Sequence, residues 1–362
     1  MKKSVVLVNH EMGMGGAERQ FSIMANNLAG RGWDVGIATW VDEPSYYELA
    51  PGVEHIRMGA SEHGKNALQG LVLNRERIRR LRAVLAERKP SVVISFNHRN
   101  NIRSILAARP LGIPTIVMEA SDPFREPLER EWKILRTLLY PTCASVVLQT
   151  QAVVSYFRPN VQRIVEVIPN PIVDPGFRRK PNPSGRSVVS LGRLVEVKGQ
   201  DLLLKAFSLA SKQKPDWRLT LYGEGESREE LEAIRSELKL EKVVDLPGAV
   251  AKPYEVLAKA DLFVMSSRRE GFPNALCEAM AVGLPAVSFD CPYGPGFIIR
   301  EGVDGLLAKP EDVEDLAAKL VELMSDDERR EAMSVRAPEV LDRFGEQKVM
   351  DQWEALLNKV AK

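Results

Sequence analysis

The sequence predicts an α/β protein made of two doubly wound, Rossmann-like domains of similar size. Three observations carry this expectation. The chain has 362 residues, about twice a common domain length. Short apolar runs alternate with stretches of helical periodicity, as in a parallel sheet with crossover helices. That alternation stops at a proline-rich junction and then begins again.

Taken in order, Lys2-Lys3-Ser4 leads into Val5-Val6-Leu7-Val8, an apolar run too short for a signal peptide and closed by Asn9-His10. It reads as the first strand. Further strands are expected at 35–39, 92–96, 115–118 and 146–148, with helices over 17–31, 71–88 and 129–140 between them. Val167-Ile168-Pro169-Asn170-Pro171, followed by Pro175, Pro181 and Pro183, marks the junction. The domains are accordingly 1–170 and 171–345. In the second, strands are expected at 187–191, 218–222, 243–246, 262–265 and 286–289. Ser227-Arg228-Glu229-Glu230 reads as a capping box opening a helix over 229–238. A helix from Asn274 stops at Gly283. Two such domains, facing each other through the C-terminal ends of their strands, would form one cleft for two substrates.

Fifty Lys and Arg against forty-nine Asp and Glu leave a formal charge of +1, which lends no support to nucleic-acid binding. Cys143, Cys277 and Cys291 are odd in number and widely spaced, so a reducing cytosol is expected rather than a disulfide framework. His10, His55, His63 and His98 stand apart and no Asp-x-Asp occurs, so no metal ligands are visible. No segment approaches the roughly 20 apolar residues of a membrane span, so any membrane contact would be peripheral.

Gly13-Met14-Gly15-Gly16-Ala17-Glu18-Arg19 follows the first strand and opens a helix, where backbone can approach an anion or sugar. Glu18 stands where the dinucleotide fingerprint needs its third glycine, and the Walker Lys-Ser/Thr is missing, which disfavours nicotinamide and P-loop chemistry. In the second half, Gly192-Arg193-Leu194-Val195-Glu196-Val197-Lys198-Gly199 sets two cations at the top of the sheet. Such cations can stabilise a departing diphosphate without metal. Tyr222-Gly223-Glu224-Gly225 adds a glycine loop beside them. Glu270-Gly271-Phe272-Pro273-Asn274-Ala275-Leu276-Cys277-Glu278 places two carboxylates around a helix start, whose free N–H groups suit a diphosphate. One carboxylate would take a ribose and the other a sugar.

Six arginines lie between Arg75 and Arg88, with Arg75, Arg79 and Arg82 expected to point outward and Leu71, Ile78, Leu81 and Leu85 inward. Arg125, Arg130, Lys133 and Arg136 recur with Trp132 and Leu135. Both stretches are candidates to attract anionic phospholipid or a polyprenyl diphosphate, with Trp132 at the interface.

In this order, Gly-Gly-Ala-Glu-Arg, Val167 to Pro171, Gly-Arg…Lys-Gly, Gly-x-Gly, Leu246-Pro247-Gly248 and Glu-x7-Glu resemble the retaining GT-B glycosyltransferases of family 4. The resemblance covers nearly the whole chain. It is nearest to bacterial enzymes that extend lipid-linked or surface-polysaccharide sugars, and Cys291-Pro292-Tyr293-Gly294-Pro295 is similar to theirs. It implies that Arg193 and Lys198 bind the diphosphate, Glu270 the donor-sugar hydroxyls and Glu278 the ribose. Phe272, Pro273, Asn274, Ala275 and Leu276 would contact sugar and phosphate, with Gly223 nearby. Gly248 to Val250 would lie near the uracil, and Gly15 and Gly16 along the donor phosphate and acceptor side. It also implies that a terminal helix, 346–362, returns to the first domain. Ala120 stands where many members have a histidine, and His98 or Asp122 is the candidate acceptor contact.

The function so implied is metal-independent transfer of a hexose or N-acetylhexosamine, with retention, from a UDP-sugar to a glycolipid, polyprenyl-diphosphate-linked or polysaccharide acceptor. It would occur at the cytoplasmic membrane face and use no cofactor. Rival readings are a GDP-mannose-dependent transferase, a UDP-sugar 2-epimerase and a non-catalytic nucleotide-sugar-binding subunit.

Overall fold

The computed structural model describes residues 3–60, 67–119, 128–180 and 185–361. The chain divides into two compact units, Met1–Pro171 with Gln347–Lys362, and Ile172–Glu346.

The first unit holds β1 (Ser4–Asn9), β2 (Asp34–Thr39), β3 (Val53–Arg57), β4 (Val92–Phe96), β5 (Thr115–Glu119), β6 (Ser145–Leu148) and β7 (Val165–Val167). They form one parallel sheet in the order β3-β2-β1-β4-β5-β6-β7. β1 carries only apolar residues over Val5–Val8, all fully buried, because helices cover both of its faces. Val5 and Leu7 face a cluster with Met24, Leu28, Val349, Met350 and Trp353, whereas Val6 and Val8 face Trp40, Leu81 and Leu85. The terminal helix Glu346–Val360 thus supplies core to the first sheet, and Arg31 pins it through Asp351 at 2.7 Å and Glu354 at 2.8 Å.

The second unit holds β8 (Ser187–Leu191), β9 (Arg218–Tyr222), β10 (Val244–Gly248), β11 (Leu262–Met265), β12 (Ala286–Phe289) and β13 (Gly305–Ala308), also parallel, in the order β10-β9-β8-β11-β12-β13. In both sheets the strand order reverses beside the first strand, between β1 and β4 and between β8 and β11. Ligands of open α/β sheets bind at such a switch point, beyond the C-terminal strand ends.

Four expectations need correction. Ser227 makes no side-chain cap: its φ of −84° and ψ of 3° are not the extended backbone that capping requires, and the helix is Arg228–Glu237. Leu71 is 63% exposed rather than inward with Leu81 and Leu85. Of the arginines expected outward on the helix Ala67–Arg88, Arg75 and Arg79 are exposed, but Arg82 is half-buried. Arg80 donates to Glu76, Met58 O and Gly59 O, Arg82 to Leu106 O, and Arg88 to Glu54 and Asp34. Trp132, expected at a membrane interface, is 8% exposed, and Arg136 is buried against Tyr156. Arg125 lies outside the described residues. Cys143, Cys277 and Cys291 are free and buried.

Candidate active site

At the switch point of the second sheet, two loops leave adjacent strands. One runs from β8 through Gly192 and Arg193 into the short turn Glu196–Lys198 and then the helix Gln200–Gln213. The other runs from β11 through Ser266 to Pro273 and enters the helix Asn274–Ala281. Close backbone approach binds them. Gly199, at φ +63°, has no room for a side chain, since a Cβ there would stand 2.1 Å from Ser266 O. Ser266 Oγ donates to Lys198 O at 3.0 Å, and Arg268 N to Val197 O at 2.9 Å.

The chemistry-bearing side chains follow from this bracket. Lys198 Nζ lies 2.6 Å from Glu270 Oε1, which also accepts from Ser267 Oγ at 2.6 Å. Glu270 is largely buried, and a Cβ on Gly294 would meet its Cβ at 2.9 Å, so Gly294 gives the carboxylate its room. Glu278 is buried one turn into the Asn274 helix. That helix has no side-chain cap, and although Asn274 N donates to Phe272 O at 3.0 Å, the N–H groups of Ala275 and Leu276 present its positive end to an anion. Phe272 anchors the approach by packing edge-on against Phe344, 5.4 Å between centroids. Arg193 is exposed, and its guanidinium has no ion-pair partner among the described residues. A carbonyl contact orients its backbone, Gln200 Nε2 donating to Arg193 O at 2.9 Å.

Gly223 and Gly225 lie against the first loop: added Cβ atoms would stand 1.9 Å from Gly192 O and 2.2 Å from Leu194 O. Leu194 N donates to Glu224 O at 2.9 Å. Gly248 ends β10, with Val250 half-buried just beyond it.

Arg268 is a residue the sequence reading passed over. It makes a forked contact with Asp201, at 2.8 and 2.7 Å, and donates to Glu196 O at 2.7 Å. Burial raises the Asp201 carboxyl more than any single contact lowers it, but the Arg268 hydrogen bond and charge, joined by the Leu202 backbone N–H and the Lys205 charge, together hold the carboxyl below its ordinary value. Nothing in the local pattern marks this pair, because 67 residues separate its members. Cys291 sits nearby, its thiol pushed up to about 12 by burial and then by the Glu270 charge.

The remaining predicted residues belong to the first unit. Gly15 precedes the helix Gly16–Gly30 with an ordinary extended φ of −160°. Only the end of the Glu18 side chain occupies the space a Gly15 Cβ would take, and Tyr47 OH donates to Gly15 O at 3.1 Å. His98 opens the helix His98–Ala108 after β4, its ring edge-on to Trp132 at 6.3 Å. Asn97 Oδ1 caps that helix by accepting from Arg99 N at 3.2 Å. Asp122 and Ala120 lie outside the described residues. Beneath them in sequence, Glu119 is buried at the end of β5 and accepts from Tyr140 OH, a partnership the sequence did not announce.

Two family models match the chain: a glycosyl transferase 4-like domain over residues 15–171, and glycosyl transferases group 1 over residues 177–340. An exopolysaccharide phosphotransferase of Streptomyces coelicolor is 38% identical over 194 residues, which are 53% of this chain and 20% of that protein. From Campylobacter jejuni, a GalNAc-alpha-(1->4)-GalNAc-alpha-(1->3)-diNAcBac-PP-undecaprenol alpha-1,4-N-acetyl-D-galactosaminyltransferase is 27% identical over 371 residues, covering 99% of each chain. Among solved structures, Anabaena HepE in complex with UDP and glucose matches with a TM-score of 0.81 at 18% identity, covering 99% of this chain and 100% of that one.

Proposed function

The chain belongs to the GT-B glycosyltransferases, and from that premise we propose that it moves a hexose or N-acetylhexosamine from a UDP-sugar to a lipid-linked or polysaccharide acceptor in cell-surface glycan assembly. The observation that carries this reading is the Lys198–Glu270 pair beside the uncapped helix start at Asn274, with the open Arg193 guanidinium on the adjoining loop. A departing nucleoside diphosphate gathers negative charge in the transition state, and fixed cations and N–H groups stabilise it there more than in the ground state. In this reading Arg193 and Lys198 take the diphosphate, Glu278 the ribose and Glu270 the donor-sugar hydroxyls. Glu270 is held by Lys198 and Ser267, which suits orientation of hydroxyls. Transfer proceeds with retention and without metal: the acceptor oxygen bonds the anomeric carbon on the face the diphosphate leaves, and the leaving phosphate takes the acceptor proton. UDP in HepE and the undecaprenol-linked acceptor named for the Campylobacter relative support the choice of donor and acceptor.

The test is a thermal-shift panel of UDP, GDP and their common sugar conjugates on wild type and Arg193→Ala. The expected outcome is stabilisation by the UDP series, diminished in the variant, since a ligand of the native state raises the melting temperature by mass action. No shift with any nucleotide would sink the reading, and a GDP-selective shift would replace its donor.

We also propose a peripheral, charge-assisted membrane contact on the inner face. Among the described residues no helix is long and apolar enough to cross a membrane. The helix Arg130–Leu139 instead exposes Ile134 and Leu138, at 50% and 65%, one turn apart, beside exposed Arg130 and Lys133. Flotation with anionic vesicles should fall on adding salt and fall further in Leu138→Glu. Flotation indifferent to both changes would refute the contact.

A further inference from the structure

In the first unit, the helices Ala67–Arg88 and Arg130–Leu139 both pack on the helix His98–Ala108, which leaves the C-terminal end of β4 at the switch point. Arg99 and Arg103 lie one turn apart on that helix, and Arg77 approaches them from the Ala67 helix. Arg103 is only 6% exposed, yet among the described residues no carboxylate meets its charge. Its guanidinium donates to Asn74 Oδ1 at 3.0 and 2.7 Å and to Asn100 Oδ1 at 3.3 Å, and lies 5.7 Å from the Trp40 ring centre and 5.5 Å from that of Trp132. Asn100 is itself held by Trp40 Nε1 at 2.8 Å. Arg99 stands 5.5 Å from Trp132 and pairs with Glu129, whose side chain is exposed, while Arg77 Nε donates to Ala60 O at 2.7 Å. Burial, and then the charges of Arg77 and Arg99, hold the Arg103 guanidinium down to about 9. Burial and then Arg99 lower Arg77 as well.

Two guanidinium groups on the Trp132 indole, with the Arg77 charge acting on them and Arg103 buried among amides rather than carboxylates, cost free energy in the empty protein. An anion relieves that cost. Guanidinium forks match the oxygens of a phosphate, and the Trp132 face holds two of them in orientation. We infer that Arg77, Arg99 and Arg103 form a binding site for a phosphate group esterified to the acceptor, placed at the β4 end of the first sheet. The inference rests on the proposed glycosyl transfer and deepens it: it names a charged group on the acceptor, away from the hydroxyl that is glycosylated, as the feature the first unit recognises.

The test measures inorganic pyrophosphate binding by calorimetry to the full chain saturated with UDP, so that the donor-phosphate site is filled. One salt-sensitive site is expected, weakened about tenfold or more by Arg99→Ala and by Arg77→Ala, with UDP affinity unchanged. Both positions are partly exposed, so these variants leave the buried Arg103 and the fold in place. No binding to the UDP-saturated chain, or binding that both variants leave intact, would overturn the site. Failure of the donor reading is seen separately, as wild type that does not bind UDP at all. Phosphatidylcholine vesicles doped with a prenyl diphosphate, or with phosphatidylglycerol, separate the two sources of phosphate. Retention by the prenyl diphosphate beyond that by phosphatidylglycerol, with the excess lost in Arg99→Ala, supports the acceptor site. Equal retention by both lipids, unaltered in Arg99→Ala, argues for a general anionic surface and against it.

Discussion

At the scale of single residues, the two glutamates show how much a spacing can and cannot say. Glu270 and Glu278 are legible because a helix start between two carboxylates has a chemical meaning. Their environments are not. Glu270 is tied to Ser267 three residues before it and to Lys198, a coupling across 72 residues that no local pattern contains. Arg268 extends the lesson, since it locks the Lys198 loop to the Glu270 loop without itself reaching the site. Arg268→Ala should lower stability by about 1–3 kcal/mol through loss of charge-assisted hydrogen bonds, and should lower kcat by loosening both loops. Asp201 makes the effect pH-dependent. Its folded pKa is depressed, so its contribution is present above the unfolded value of 3.8 and is lost as pH falls through the lower folded value. The gap in melting temperature between wild type and Arg268→Ala should therefore be full at neutral pH and close in acid below 3.8. A gap of equal size at pH 7 and in acid would show that the Asp201 pair is not its source.

At the scale of elements, central strands announce themselves and edges do not. β4, β8, β9, β11 and β12 stand at the residues their apolar runs indicate, and β11 and β12, covered on both faces, are buried throughout. β3 is half-exposed and β7 has three residues, so neither carries that signature. Helix faces mislead in a different way. Arginine is amphipathic, and several arginines of the Ala67 helix turn back to cap carbonyl groups of neighbouring segments, which periodicity cannot distinguish from a solvated stripe. Trp132 is likewise drawn inward by two guanidinium groups. The terminal helix is the clearest case of an element whose value lies elsewhere in the chain: Trp353, 1% exposed, fills the cluster under β1. Trp353→Ala should destabilise the first unit by about 3–5 kcal/mol, seen in denaturant unfolding as an earlier transition for that unit alone. An unchanged first transition would mean that the helix is not part of its core.

At the scale of the whole molecule, two α/β units each place their unusual loops beyond the C-terminal strand ends, with a switch point in each sheet. The sequence by itself determined the fold class and the central strands, put a junction at Asn170-Pro171, and singled out Arg193, Lys198, Glu270 and Glu278. These depend on periodicity and on short spacings, which are local properties of a chain. Only the tertiary structure decided which charges meet. It pairs Lys198 with Glu270 and Arg268 with Asp201, and it buries Arg103 between two tryptophans beside two further arginines. The physical reason is that a charge acts over a few ångströms in space, so its partner is set by which loops the sheet brings together and by how much water is excluded there.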